Sequence, residues 1–147
     1  MVVASVGPYL VTGDVTWHAN GGGGTFGAAQ TVASGLSGAR TLAVADFTND
    51  GVLDIAVAEY GAAIIVLIVG TGGGTFAAPI TVSTTATGVY TLVAADLNGD
   101  ALIDLVSAEY VCASCLCVCA ATAVFLYRPW GACDKRKIHV RLECATC

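Results

Sequence analysis

The chain has 147 residues, of which 56% are hydrophobic and only 12% are charged. Typical globular proteins are about one quarter charged, and disordered chains combine low hydrophobicity with high net charge, so the composition excludes intrinsic disorder. The net charge of −5 excludes the overall basic surface that nucleic-acid-binding proteins present. With 147 residues and 18 glycines, the chain is expected to form one compact, turn-rich domain, or a piece of one, that is mainly β.

Charge and cysteine are distributed unevenly along the chain. Residues 1–111 contain nine of the eleven acidic residues, a single base, Arg40, and no cysteine. Residues 112–147 contain all seven cysteines, five of the six bases and two acidic residues. We therefore divide the chain into an acidic region, 1–111, and a Cys-rich basic tail, 112–147.

The acidic region contains an internal repeat of fifty residues. Three sequence blocks recur at this offset: GGGTF at 22–26 and 72–76, TLxxAD at 41–46 and 91–96, and DxxxAEY at 54–60 and 104–110. Because three independent blocks agree in one register, the region is interpreted as a repeat array.

Each repeat unit is predicted to be a four-stranded antiparallel meander. Its apolar runs are strand-length, rich in β-branched residues and separated by Gly or Asp turns; they lie at 41–45, 55–60, 63–69 and 80–82. No apolar stripe of helical period and length occurs in 1–111. The predicted fold class is therefore all-β.

The units number about two and a half. Residues 41–90 form one full unit, residue 91 begins another, and 1–40 supply only the second half of a preceding unit. A closed β-propeller needs about four to eight blades, so the chain is not expected to close a ring by itself. It is either a fragment or a partner of other chains that complete the structure.

An aspartate-rich loop separates the first two strands of each unit. Oxygen-bearing side chains stand at loop positions 1, 3, 5 and 9, and the backbone carbonyl at position 7 is a further candidate ligand. Ca²⁺ takes about six to eight oxygen ligands, and three carboxylates within nine residues repel one another without a cation. The predicted calcium ligands are Asp46, Thr48, Asp50, Val52 and Asp54 in the first loop and Asp96, Asn98, Asp100, Leu102 and Asp104 in the second.

The loops admit two other interpretations. An EF-hand is excluded, because its twelfth position holds Val57 or Ser107 in place of Glu, and strands flank the loops where helices would be needed. A pair of Asx-rich β-turns that cap hairpins without metal stays open. Each loop has one defect: Thr48 is a poor ligand, and Ala101 occupies the sharp turn where the first loop has Gly51. A positive φ would be costly at an alanine, so both sites are expected to bind weakly.

The order of the Gly-Gly-Gly-Thr-Phe block, a strand, the aspartate loop and a second strand resembles the FG-GAP repeats, also called VCBS-type repeats. Such repeats occur in extracellular proteins and in the propeller of integrin α subunits. The resemblance covers about 14–110. It implies one β-propeller blade per unit, calcium held by the ten loop residues named above, and an extracellular role in adhesion, recognition or scaffolding.

The glycine-rich blocks are interpreted as tight turns. Neither is followed by Gly-Lys-Ser/Thr, and strands follow both, which excludes a phosphate-binding loop. Phe26 and Phe76, which end these blocks, are expected to insert into the core.

The chain is not predicted to be an enzyme. It has only two histidines, His18 and His139, and no serine nucleophile motif. Trp17 and His18 align with Leu67 and Ile68 of the next unit, which places them in a strand.

The Cys-rich tail leaves three interpretations open. Two Cys-x-x-Cys pairs are candidate zinc ligands: Cys112, Cys115, Cys144 and Cys147. Residues 110–127 are uncharged and are followed by bases, as in a membrane span. The favoured interpretation makes 121–127 a further strand that mimics 62–68, with a disulfide-stapled end suited to an oxidising, extracellular setting. Seven is an odd number, so at least one cysteine is free or intermolecular.

Three function hypotheses result. The first is a non-enzymatic, calcium-binding module of an extracellular or cell-surface protein. It would have a structural, adhesion or scaffolding role and a protein or glycan ligand. No secretory leader is visible in 1–10. The second is a protomer that self-associates into oligomers or filaments through open strand edges or blade faces, since 1–111 contains no Lys and only Pro8 and Pro79 to guard an edge. The third is a receptor fragment anchored in a membrane through 110–127.

Overall fold

A computed structural model describes residues 2–5, 12–86, 88–109, 122–124 and 138–140, and within them every regular element is a β-strand. The strands are β1 (Val2–Ser5), β2 (Thr12–Gly22), β3 (Thr25–Ser37), β4 (Ala39–Ala45), β5 (Asp54–Glu59), β6 (Ile64–Ile68), β7 (Gly70–Gly72), β8 (Thr75–Phe76), β9 (Ile80–Ser83), β10 (Val89–Ala95), β11 (Asp104–Glu109), β12 (Thr122–Val124) and β13 (Ile138–Val140). The all-β fold class is confirmed. No helix in these ranges has the length and hydrophobicity to cross a membrane, and most of the candidate span 110–127 lies outside them.

The central sheet has the strand order β4-β5-β6-β9 and is antiparallel throughout. It is built from the one full repeat unit and confirms the predicted four-stranded meander. The prediction missed the two-stranded hairpin β7–β8, which lies inside the connection between β6 and β9. Pro79 separates β8 from β9, because proline has no N–H to donate to a strand partner.

The first sheet, β1-β2-β3, contains one strand more than the half unit predicted for 1–40. Val2 of β1 pairs with Trp17, whereas Ala56 of the central sheet pairs with Leu67. The β1–β2 connection is therefore longer than the β5–β6 turn, which moves β1 out of the fifty-residue register. A search for identical residues at one fixed offset could not detect this strand.

The third sheet consists of β10 and β11, which pair antiparallel with Val93 opposite Val106. These strands repeat β4 and β5 of the central sheet. In the tail, β12 pairs antiparallel with β13, and β12 lies beside β11. The cysteines of the tail lie outside the described residues, so the zinc and disulfide interpretations stay predictions.

The three sheets stack face to face in chain order, with the central sheet in the middle. Every residue of β5 is buried because alternate side chains face opposite neighbours. Ile55 and Val57 pack with Val15 and Leu36 of the first sheet, and Ala56 and Ala58 pack with Val89, Leu92 and Leu105 of the third sheet. This is the stacking of successive propeller blades, and across the described part of the chain the sheets do not close into a ring.

The two phenylalanines that end the glycine-rich blocks differ in burial. Phe76 is partly buried against the cluster between the first and central sheets. Phe26 is 48% exposed, so its expected insertion into the core is wrong. The reason is positional: Phe76 packs towards the preceding sheet, and among the described residues no sheet precedes the one that carries Phe26.

Candidate functional site

The two aspartate loops occupy equivalent places in neighbouring sheets. Residues 46–53 connect β4 to β5, and residues 96–103 connect β10 to β11. The central and third sheets stack, so both loops lie at the same edge of the stacked sheets, the edge at which β4 and β10 end. The sequence placed each loop between the first two strands of its unit, and the structure confirms this position.

Asp46 and Asp50 organise the first loop through backbone amides. Asp46 Oδ1 accepts a hydrogen bond from the N–H of Asp50 (3.1 Å), and its Oδ2 accepts one from the N–H of Gly51 (2.8 Å). Asp50 Oδ1 accepts one from the N–H of Val52 (2.8 Å). These are Asx-type turns, in which a short acidic side chain fixes the backbone that follows it.

Asp54 ends the same loop and is fully buried. Its Oδ2 accepts hydrogen bonds from the N–H groups of Phe47 (2.9 Å) and Thr48 (3.1 Å), and its Oδ1 accepts one from Gly70 (2.8 Å). A buried carboxylate is tolerated when several donors surround it. Asp54 therefore ties the start of its loop to the β7–β8 hairpin.

The second loop repeats this network. Asp96 accepts hydrogen bonds from the N–H groups of Gly99 (2.8 Å), Asp100 (3.3 Å) and Ala101 (2.8 Å). These bonds, above all the one from Ala101, hold the pKa of Asp96 below its usual value. Asp104 is buried like Asp54, and its Oδ2 accepts a bond from the N–H of Leu97 (3.0 Å).

The donor chemistry of the loops suits calcium, since every candidate ligand is an oxygen. One atom in particular lacks a partner: Thr48 Oγ1, at the third loop position, is buried and makes no hydrogen bond. A buried hydroxyl without a partner is uncommon, and an ion is one of its standard explanations. In the ranges that the structure describes, no three His, Cys, Asp or Glu side chains converge as a metal-binding group, and the carboxylates engage loop amides.

The backbone at the sharp turn has the conformation that the sequence analysis anticipated. Gly51 has φ of 84° and Ala101, at the same position of the second loop, has φ of 65°. L-residues with a Cβ adopt this left-handed region at a cost, whereas glycine does not. The second loop is therefore strained at a point where the first is relaxed.

Replacing Ala101 with glycine is expected to raise the free energy of unfolding by about 1 kcal/mol, because it relieves this strain. The matched change, Gly51→Ala, is expected to lower it by a similar amount, since a Cβ at Gly51 would contact nothing within 4 Å and only the φ value opposes it. Urea denaturation of both variants measures the two effects. Shifts of the same sign would contradict the assignment of strain.

Two contacts were not predicted from the sequence: that of Gly70 at this site, and that of Glu59 at the opposite edge of the sheets. The N–H of Gly70 reaches Asp54, and a Cβ on Gly70 would overlap the carbonyl oxygen of Leu53. Glu59 Oε2 accepts a hydrogen bond from the N–H of Ser37 (2.7 Å), which joins the central sheet to the end of the first. Its equivalent, Glu109, has a buried Oε1 without a partner, and burial raises the pKa of Glu109. The recurring Ala-Glu-Tyr block was the available signal for the glutamates.

A stacked trio of side chains occupies the opposite end of the sheets. The Arg40 guanidinium carbon lies 4.9 Å from the ring centroid of Tyr60 and 4.1 Å from that of Tyr90. Both distances permit cation–π attraction. The only base of the acidic region thus links the central sheet to the third.

The sequence profile of the FG-GAP-like repeat matches the chain twice, over residues 2–57 and 46–107. Together the two matches cover well over half of the 147 residues. Neither the curated proteins nor the solved structures give a match to the chain. The profile boundaries include β1, which the fixed-offset repeat had missed. The chain therefore belongs to the FG-GAP-like repeat family, whose repeats are in general structural and adhesion modules.

Proposed function

We propose that this protein is a calcium-stabilised, non-enzymatic module of an extracellular or cell-surface protein, with a role in adhesion or scaffolding. The observation that carries the proposal is the aspartate loop, which recurs at the same place in two stacked sheets. The buried, unpartnered Thr48 hydroxyl adds an oxygen that a cation would satisfy.

The residues that would hold calcium are the ten loop residues predicted from the sequence, with Val52 and Leu102 contributing backbone carbonyls. Four carboxylates lie at the same edge of the stacked sheets: those of Asp46, Asp50, Asp96 and Asp100. Arg40, the only base of the acidic region, is not adjacent to any of them in sequence. A divalent cation in each loop would offset the repulsion among these carboxylates. We infer a structural role for the metal: it would hold the loops that join the first two strands of each blade.

The extracellular assignment rests on two supports. FG-GAP repeats are typically extracellular domains. Seven cysteines in a tail of 36 residues suit an oxidising compartment, where disulfides form and persist. A membrane anchor in 110–127 remains a prediction of the sequence analysis.

Calcium is expected to raise the melting temperature of the full chain. A ligand that binds only the folded state at one hundred times its Kd stabilises it by about 2.7 kcal/mol, which corresponds to roughly 10 °C for a domain of this size. Differential scanning calorimetry in millimolar calcium and in excess chelator measures the shift.

The single-site variants Asp50→Ala and Asp100→Ala control this experiment, because each should remove one of two binding events in isothermal titration calorimetry. Asp14→Ala serves as the matched acidic substitution outside the loops and should leave the stoichiometry at two. An unchanged melting temperature together with no calcium in elemental analysis would refute the metal site and leave the aspartates as turn residues.

A second candidate function is that of a self-associating protomer. It is supported by the exposure of large apolar side chains on the third sheet and its loop, where Val93 is 50% and Leu97 46% exposed. Exposed apolar patches on otherwise soluble domains commonly mark interaction sites.

A further inference from the structure

The outward face of the third sheet is apolar. Leu92 and Leu105 point into the cluster shared with the central sheet, so the alternate residues of β10 and β11 face away from it. One of them, Asp104, is charged, but it is buried and accepts a hydrogen bond from the N–H of Leu97. The others carry no charge: Thr91, Val93, Ala95, Val106 and Ala108. Val93 lies directly opposite Val106 in the strand register, which makes a continuous apolar patch.

The fifty-residue repeat shows what such a face is built to contact. The equivalent residues of the central sheet include Ala43 and, in the loop, Phe47; both are only 8% exposed because the third sheet covers them. Their counterparts Val93 and Leu97 are about half exposed, although β12 lies beside β11. The outward face of the third sheet is thus equivalent to the face of the central sheet that the third sheet covers.

The other end of the stack is polar. Val15 points into the cluster with the central sheet, so Asp14, Thr16 and His18 of β2 face outward. At the equivalent positions the central sheet has Ile64, Val66 and Ile68, the last two buried against the first sheet. The first sheet has therefore replaced an apolar stacking surface with a polar one, as terminal repeats of soluble arrays do.

This difference decides between two modes of association. Stacking the third sheet of one copy on the first sheet of another would bury Asp14 against a face that has no charge to pair with it, which is unfavourable. Stacking two third sheets buries only apolar and hydroxyl groups. Among the described surfaces, the one whose chemistry matches is the same face of the third sheet in a second copy of the chain.

We infer that two copies of this chain associate through the outward faces of their third sheets, forming a closed two-fold dimer in which the polar first sheets are the outer ends. The inference deepens the second candidate function above and rests on it. A contact of the same patch with itself closes after two copies, whereas a head-to-tail contact would continue as a filament.

Sedimentation equilibrium of the full chain, in reductant and calcium, tests the inference. The expected mass is twice the chain mass of 14.7 kDa. Val93→Lys, at a half-exposed position, should raise the dimer dissociation constant at least tenfold, and Leu97→Glu should do the same. Thr16→Lys, the matched change on the first sheet, should leave the dimer intact. Circular dichroism and the melting temperature establish that each variant is folded.

A gain-of-function variant tests the role of the polar end. Asp14→Ile combined with Thr16→Val and His18→Ile gives the outward face of β2 the apolar residues of β6 and should convert dimers into longer assemblies. A monomeric wild-type chain, open-ended growth of the wild type, or dissociation by Thr16→Lys would each overturn the inference. The calcium-induced melting shift is measured on the same samples, so a monomer that keeps this shift contradicts the dimer and leaves the calcium proposal standing.

Discussion

Replacing Asp54 with alanine is expected to lower the free energy of unfolding by about 4 kcal/mol, the largest effect of any single loop substitution. The carboxylate is fully buried and accepts hydrogen bonds from the N–H groups of Phe47, Thr48 and Gly70. Removing it leaves three donors, two of them in buried bonds, without an acceptor. Each buried donor left unsatisfied costs about 1–3 kcal/mol.

Urea denaturation in excess chelator measures this loss without any contribution from bound metal. The control is Asp50→Ala, which removes an exposed carboxylate that accepts a hydrogen bond from the N–H of Val52, and it should cost no more than about 1 kcal/mol. Equal losses for the two variants would show that burial of Asp54 does not determine its contribution.

Gly70→Ala is expected to lower the free energy of unfolding by about 3 kcal/mol, the cost of forcing a methyl group into a packed site. Its Cβ would overlap the Leu53 carbonyl oxygen and come within 2.8 Å of Val52 Cγ1. The backbone atom cannot move without shifting the aspartate loop, so the Gly70–Asp54 hydrogen bond should weaken as well.

The measurement for Gly70→Ala is thermal denaturation with and without calcium, because a displaced loop should also reduce the calcium-induced shift. Gly27→Ala is the matched control: its nearest neighbour would be the Ala19 carbonyl oxygen at 3.6 Å, an ordinary contact. A Gly70→Ala variant as stable as the Gly27→Ala variant would contradict the close approach.

The aspartate loops could be located from sequence because their signal is local. Side chains such as Asp46 fix the backbone within five residues, so spacing alone predicts the turn. The same reasoning anticipated the strained φ at Ala101, since the two loops can be compared position by position. The role of Asp54 was less accessible: its bond to Gly70 spans sixteen residues and depends on how the hairpin folds back.

Burial at the ends of the stack could not be predicted, because it depends on which neighbour is present. Phe26 and Phe76 share a sequence block, yet among the residues that the structure describes only Phe76 has a preceding sheet to pack against. β1 escaped for another reason: its pairing with β2 follows a longer connection, which breaks the fixed offset. The polar side chains of Asp14, Thr16 and His18 can be assigned to an outward face only when the direction in which the sheets stack is known.

The burial of β5 on both faces has a consequence for the cooperativity of unfolding. The first and third sheets each lose an apolar neighbour if the central sheet opens, whereas the central sheet loses only one neighbour when either end detaches. Repeat arrays behave as chains of units coupled to their nearest neighbours. In a single copy, fraying should therefore begin at the first and third sheets, and the amides of β5 should exchange with solvent only when the whole array unfolds.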